Sequence, residues 1–188
     1  MNPMLTTTDY SQEKKPFKVG KLRMLIGALA LFVTLGCWWA FIIGELGAYE
    51  IESGSMEPTM LLYDRVLGRP IPSSGVKVGD IVVINSPDDN GPDLVKRVVA
   101  EEGDMVEFRN HHFFVNGTES PPPGQTQSVH PFAADDRFVL GKDEYYLLGD
   151  NRPQSHDSEE FGPVDRANIK KVIFWRYWPP SRMGRITP

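Results

Sequence analysis

Ser53-Gly54-Ser55-Met56-Glu57-Pro58-Thr59-Met60 sets two hydroxyls two residues apart on a turn containing glycine and proline. Serine at its free pKa is a weak nucleophile, so such a turn does chemistry only if the chain also supplies a base. Lys96 is the candidate. In Leu94-Val95-Lys96-Arg97-Val98-Val99, period-two alternation places it on one face with Leu94 and Val98 and turns Arg97 to the other, where it can stay charged. An ammonium on an apolar face loses hydration, which lowers its pKa towards that of a working base. Taken alone, the pattern describes an edge-strand lysine with its head in water more readily than a base. Ser53 on its own reads equally as an ordinary turn residue.

Other chemistries find less support. His156 beside Asp157 invites a Ser-His-Asp reading, but neighbours on a strand or turn point apart and the chain keeps Lys96. His111, His112 and His130 lack a ligand-like spacing with cysteine or carboxylate, so no metal is expected. There is no phosphate-cradling glycine loop, and no cofactor is called for. Cys37 is the single cysteine, so no intrachain disulfide can form.

The elements that must position Ser55 and Lys96 begin with a membrane segment. From Met24 to Gly44 no residue is charged, a run of roughly 21 residues, long enough to cross a hydrocarbon core as a helix. It is longer than the apolar region of a cleavable leader, and Gly44-Glu45-Leu46-Gly47-Ala48 is a poor cleavage site, so retention as an anchor is favoured. Lys14, Lys15, Lys18, Lys21 and Arg23 against Asp9 and Glu13 give residues 1–23 a charge of 5 − 2 = +3, leaving −8 of the total −5 to the rest. The positive-inside rule puts a tail, 1–23, in the cytoplasm, a span at 24–44, and a domain, 45–188, outside. The acidic outer domain argues against nucleic acid as a partner.

In that domain, 16 prolines and 17 glycines over the whole chain, with short runs of Val, Ile, Phe and Tyr, favour strands and turns over long helices. Strands are expected at Tyr49–Glu52, Asp64–Leu67, Asp80–Ile84, Leu94–Ala100, Met105–Arg109, His112–Val115, Tyr145–Leu148 and Lys171–Tyr177. Asn116-Gly117 signals a hairpin, a reading preferred over a glycosylation sequon. Ser120–Ser128, with three consecutive prolines, reads as an exposed loop. Residues 45 to 55 can reach at most roughly 35 Å, which keeps Ser55 near the bilayer. Met60-Leu61-Leu62 and the aromatics Trp175, Tyr177 and Trp178 are candidates for lipid contact, although core packing is the favoured reading of the aromatics.

Four segments in order carry a resemblance: Ser53-Gly54-Ser55-Met56-Glu57-Pro58-Thr59; Gly79-Asp80-Ile81-Val82-Val83; Lys96-Arg97-Val98-Val99 with Gly103-Asp104; and Gly149-Asp150-Asn151-Arg152 with Ser155, Asp157 and Ser158. Together with the preceding anchor and the closing Phe174–Pro179 they resemble the signature boxes of type I signal peptidases over essentially the whole chain. The resemblance implies a mainly β fold, an antiparallel β-sheet catalytic domain behind a single transmembrane helix. It implies a Ser-Lys serine endopeptidase that cuts signal peptides from exported preproteins at the cytoplasmic membrane, beside lipid and the export machinery.

In those terms Ser55 is the nucleophile and Lys96 the general base. The Ser55 N–H and Ser53 hydroxyl are oxyanion donors, and Ser155 orients the lysine. Arg97, Asp150, Asn151, Arg152 and Asp157 are supports, with Asp150 expected to pair with Arg97. The family's arginine two residues after Asp157 is here Glu159, so Asp157 must find Arg152, Arg166 or water instead. Tyr49, Ile51, Asp93, Leu94 and Val95 are expected to line the site for an extended peptide with small residues at the first and third positions before the cut. Two other classes remain: a self-cleaving Ser-Lys repressor-like protein, disfavoured by the anchor and the lack of a DNA-binding segment, and a silent membrane scaffold, disfavoured by intact Ser55 and Lys96.

Overall fold

Among the described residues after 42, β-branched and aromatic runs punctuated by glycine and proline fold as strands. The computed structural model describes residues 19–42, 45–87, 91–109, 112–120 and 137–186. Lys14, Lys15, Lys18, His111, His130 and residues 121–128 of the segment expected as a loop lie outside the described residues. The chain divides into two units, Met1–Ile42 and Ile43–Pro188.

The first unit contains helix α1, Val19–Ile42, whose Gly20–Phe41 stretch has a mean hydropathy of 2.0. Its 24 residues rise about 36 Å, enough for a hydrocarbon core of about 30 Å. The helix starts before Met24 because Lys21 and Arg23 are good helix formers and extend it past the uncharged run. Leu22, Leu25, Leu29, Phe32, Leu35 and Trp39 are all exposed along it.

In the second unit the strands, in chain order, are β1 Gly47–Glu50, β2 Arg65–Arg69, β3 Ile81–Ile84, β4 Leu94–Ala100, β5 Met105–Arg109 and β6 His112–Val115. They continue with β7 Thr118–Glu119, β8 Arg137–Val139, β9 Glu144–Leu148, β10 Val164–Asp165, β11 Ile169–Trp178 and β12 Gly184–Arg185. One short helix, α2, covers Ser158–Phe161. The larger sheet runs β1-β2-β11-β3-β4-β9-β10, with β12 beside β11, and the smaller runs β7-β6-β5-β8. The strand pairs are antiparallel. Residues 116 and 117 both have positive φ between β6 and β7, the turn that Asn-Gly favours. The Asn116 side chain accepts from Met105 N–H and donates to Asp104, so it serves the turn.

β3 is buried on both faces, which explains its unbroken Ile-Val-Val-Ile run. Val82 and Ile84 pack with Val98, Leu147 and Val172, whereas Ile81 and Val83 pack with Ile51, Met56, Met60, Val66 and Ile173. The smaller sheet has its own core, in which Phe113 stacks on Tyr146 of β9 at 5.6 Å. The tail of β11 departs from expectation: Trp175 and Trp178 are 37% and 50% exposed rather than core. Register shifts at Ile173/Trp175 and Arg176/Trp178 reset the alternation there, so the indoles turn outward.

Candidate active site

The serine turn leaves β1 at the edge of the larger sheet. Gly54–Met56 form one turn of 3-10 helix in which Ser55 and Met56 are buried, and Ser53 Oγ lies 3.1 Å from Ser55 Oγ. Across from the turn stands β4. Register pairs Lys96 with Val82 and Arg97 with Ile81, so the two cations occupy opposite faces of β4, Lys96 sharing its face with Leu94 and Val98.

Lys96 is 2% exposed, and its Nζ donates to Ser155 Oγ at 3.2 Å. Burial pushes its pKa from 10.5 down to about 8, against the opposing pull of Asp157 and Glu160. Ser53, Ser55 and Lys96 line one cavity of about 230 Å³, together with Ile51, Met56, Asp93, Leu94 and Val95. Tyr49 is not part of that lining and packs against the core behind Ile51. Asp93 is tied to Lys170 at 2.7 and 2.9 Å.

Residues 149–159 fasten the serine turn to β4. Arg97 donates through Nε and Nη2 to the two oxygens of Asp150, both at 2.8 Å, and through Nη1 to Gly79 O. Asp150 also accepts from Thr59 Oγ1, four residues past Ser55. Asn151 donates its main-chain N–H to Ser55 O at 2.9 Å and its side-chain amide to Gly54 O at 3.0 Å. Gly149 is needed for lack of room: a Cβ there would sit 2.6 Å from Ser55 O and collide with Ser155.

Asp157 is buried, so hydration is not its fate, and its partners are main-chain amides rather than Arg166. Its Oδ2 accepts from Gly149 N–H at 2.9 Å and its Oδ1 from Glu159 N–H at 3.1 Å, capping α2. Arg152, also buried, forms its ion pair with Glu159, and it feels the charge of Asp157 as well. The carboxylate at 159 thus faces a cation supplied seven residues upstream. Ser158 completes the join to β9: its Oγ accepts from Leu147 N–H and its carbonyl from Tyr146 Oη. His156 is turned away to Glu160 at 2.7 Å.

Sequence reasoning missed Thr59, Gly149 and Ser158 as members of this arrangement, although all three stand inside the quoted segments. No group of three or more His, Cys, Asp or Glu suited to a metal occurs among the described residues. Chemically, the cavity joins two hydroxyls to a buried amine whose pKa lies within reach of neutral pH. Such a set can generate an alkoxide-like nucleophile without a metal or histidine.

A family model described as signal peptidase, peptidase S26, matches residues 22–178. The chain is 31% identical over 180 residues to signal peptidase IB of Staphylococcus aureus, covering 85% of this chain and 91% of that protein. It is 34% identical over 147 residues to the chloroplastic thylakoidal processing peptidase 1 of Arabidopsis thaliana, covering 72% of this chain and 43% of that one. A crystal structure of a signal peptidase I from Enterococcus faecalis V583 is 26% identical, covers 54% of this chain and 97% of its own, and superposes with a TM-score of 0.43.

Proposed function

The chain belongs to the signal peptidase S26 family, and on that premise we propose that it is a membrane-anchored serine endopeptidase that removes N-terminal signal peptides from exported preproteins through Ser55 and Lys96. The observation that carries the assignment is the buried Lys96, its pKa lowered to about 8, lining one cavity with Ser53 and Ser55.

Neutral Lys96 takes the Ser55 hydroxyl proton as Oγ attacks the scissile carbonyl. The oxyanion forms against the Ser55 N–H and the Ser53 hydroxyl, donors of a kind that supply about 3 to 4 kcal/mol in the transition state. The Lys96 ammonium then protonates the departing amine, freeing the mature protein and leaving the signal peptide as an ester on Ser55. Neutral again, Lys96 deprotonates a water that attacks the ester; as the bond to Ser55 Oγ breaks, Oγ takes that proton back from Lys96, and the signal peptide leaves as a carboxylic acid that ionises in water. Ser155 orients Lys96, while Arg97, Asp150, Asn151, Arg152 and Asp157 hold the scaffold.

The peptide lies extended between two open edges. Ile51 exchanges main-chain hydrogen bonds with residues 63 and 64, so the N–H and C=O groups of Glu50 and Glu52 point the other way. The β9 ladder ends where Leu148 meets Arg97, which leaves that side of Leu94 to Lys96 unpaired by β9. Ile51, Met56 and Val95 form a floor suited to small side chains at the first and third positions before the cut.

Residues 1–23 lie in the cytoplasm, 24–44 cross the cytoplasmic membrane, and 45–188 work on the far side, close to the export machinery. Exposed Leu61, Leu62 and Trp178 provide apolar surface for lipid. The test is the purified full chain with a preprotein bearing a small-x-small site. Wild type cuts there, and Ser55→Ala and Lys96→Ala do not; equal cleavage by the Lys96 variant removes it as the base.

A further inference from the structure

Glu52 adjoins the nucleophile turn and lines the active-site cavity, yet the chemistry above gives it no task. The other carboxylates along this lining are neutralised: Glu50 accepts from Arg65 Nε at 2.9 Å, and Asp93 is held by Lys170. Glu52 is exposed and makes no hydrogen bond or ion pair with the described residues.

Its direction follows from strand periodicity. Tyr49 and Ile51 face the core, so Glu50 and Glu52 face the opposite side of the same extended segment. A peptide added as a strand alongside alternates in the same way. When its first and third residues before the cut face the floor of Ile51, Met56 and Val95, the residue between them faces the Glu52 side. The cation across the groove, Lys96, is buried with its Nζ on Ser155, and its contribution is common to wild type and the Glu52 variants.

We propose that Glu52 is a specificity-determining residue that reads charge at the second substrate position before the cut, favouring Lys or Arg there and disfavouring Asp or Glu. The inference rests on the reading of Ser55 and Lys96 as a peptidase pair acting on a strand-like substrate. Both charges are solvated, so the preference is modest. Attraction of one peptide and repulsion of the other together give about a fivefold ratio in kcat/KM at low salt, shrinking towards one at about 1 M salt.

The test uses the full chain in detergent micelles and three quenched peptides with Ala at the first and third positions and Lys, Ala or Glu at the second. The Lys-to-Glu ratio of kcat/KM is the readout, because a loss common to all peptides cancels. Wild type is expected near five, Glu52→Gln near one, Glu52→Lys below one, and Glu50→Gln near the wild-type value. A ratio that survives unchanged in Glu52→Gln and Glu52→Lys overturns the role of Glu52. A ratio abolished equally by Glu50→Gln and Glu52→Gln also overturns it, assigning the effect to the general field of that edge. If the Ala peptide is not cut by wild type, or is cut equally by Ser55→Ala, the peptidase reading fails and this inference falls with it.

Discussion

Lys96 and Arg97 are consecutive, both basic and both nearly excluded from water, at 2% and 7% exposure, yet the two faces of β4 treat them in opposite ways. Each nitrogen of Arg97 has an acceptor: two carboxylate oxygens from Asp150 and a carbonyl from Gly79. Lys96 has a single hydroxyl, that of Ser155. A guanidinium cannot shed its proton in a protein, so its burial demands compensation, whereas an ammonium left without a carboxylate contact can become an amine. One face therefore stores a permanent charge as structure, and the other destabilises a charge, as the base proposed for Ser55 requires.

The sharpest way to break this contrast is to remove the proposed nucleophile and base. Ser55→Ala or Lys96→Met should lower kcat for a preprotein by about 10⁴-fold or more, with circular dichroism unchanged. On the opposite face, Asp150→Ala should cost about 3 to 5 kcal/mol of unfolding free energy, read by denaturant titration, because Arg97 is left buried without its counter-charge and Thr59 loses its acceptor. Lys96→Met should act with the opposite sign. A fall in pKa from 10.5 to about 8 means the folded state disfavours the ammonium by about 3 kcal/mol, a penalty fully present below pH 8 and fading as pH rises towards 10.5. The variant should be more stable than wild type at pH 7, by about 1 to 3 kcal/mol once the lost Ser155 contact is counted, and the gap should close by pH 10. The same pKa makes kcat/KM rise with pH and level off above about 8. Ser155→Ala should have the smallest effect, about 10- to 100-fold on kcat with KM little changed, accompanied by a moved pH midpoint that a purely structural defect would leave in place.

The alternation in Leu94–Val99 was enough to separate Lys96 from Arg97, because a strand's side-chain period is fixed by its backbone. It did not show that both faces would be buried, since burial depends on what packs over β4, and that comes from residues 51–66 and 147–157. The two- and three-residue strands β7, β8, β10 and β12 were not foreseen, because so few residues carry no periodicity. The pairing of Glu159 with Arg152 was missed for another reason. Asp157 drew attention as the carboxylate in need of a cation; it accepts from main-chain amides at 149 and 159 and acts on Arg152, which pairs with Glu159 as well. Long-range ion pairs in irregular segments leave no pattern in a single sequence. The fate of Trp175 and Trp178 turned on register shifts, which are likewise not written in residue types.

The main-chain groups of Glu50 and Glu52 face away from β2, and both residues line the cavity that the start of β4 also lines. An unpaired sheet edge exposed at a surface invites any strand, including another copy of the chain. Turned into a groove, it admits only a segment that arrives already extended and has no hydrogen-bonded structure of its own there. In the proposed binding mode the cut is thereby gated by the conformation of the target before its side chains are read. On that reading a small-x-small triplet inside a folded helix or a central strand of a mature domain is expected to stay intact, and the same triplet in a stretch that has just emerged unfolded to be cleaved.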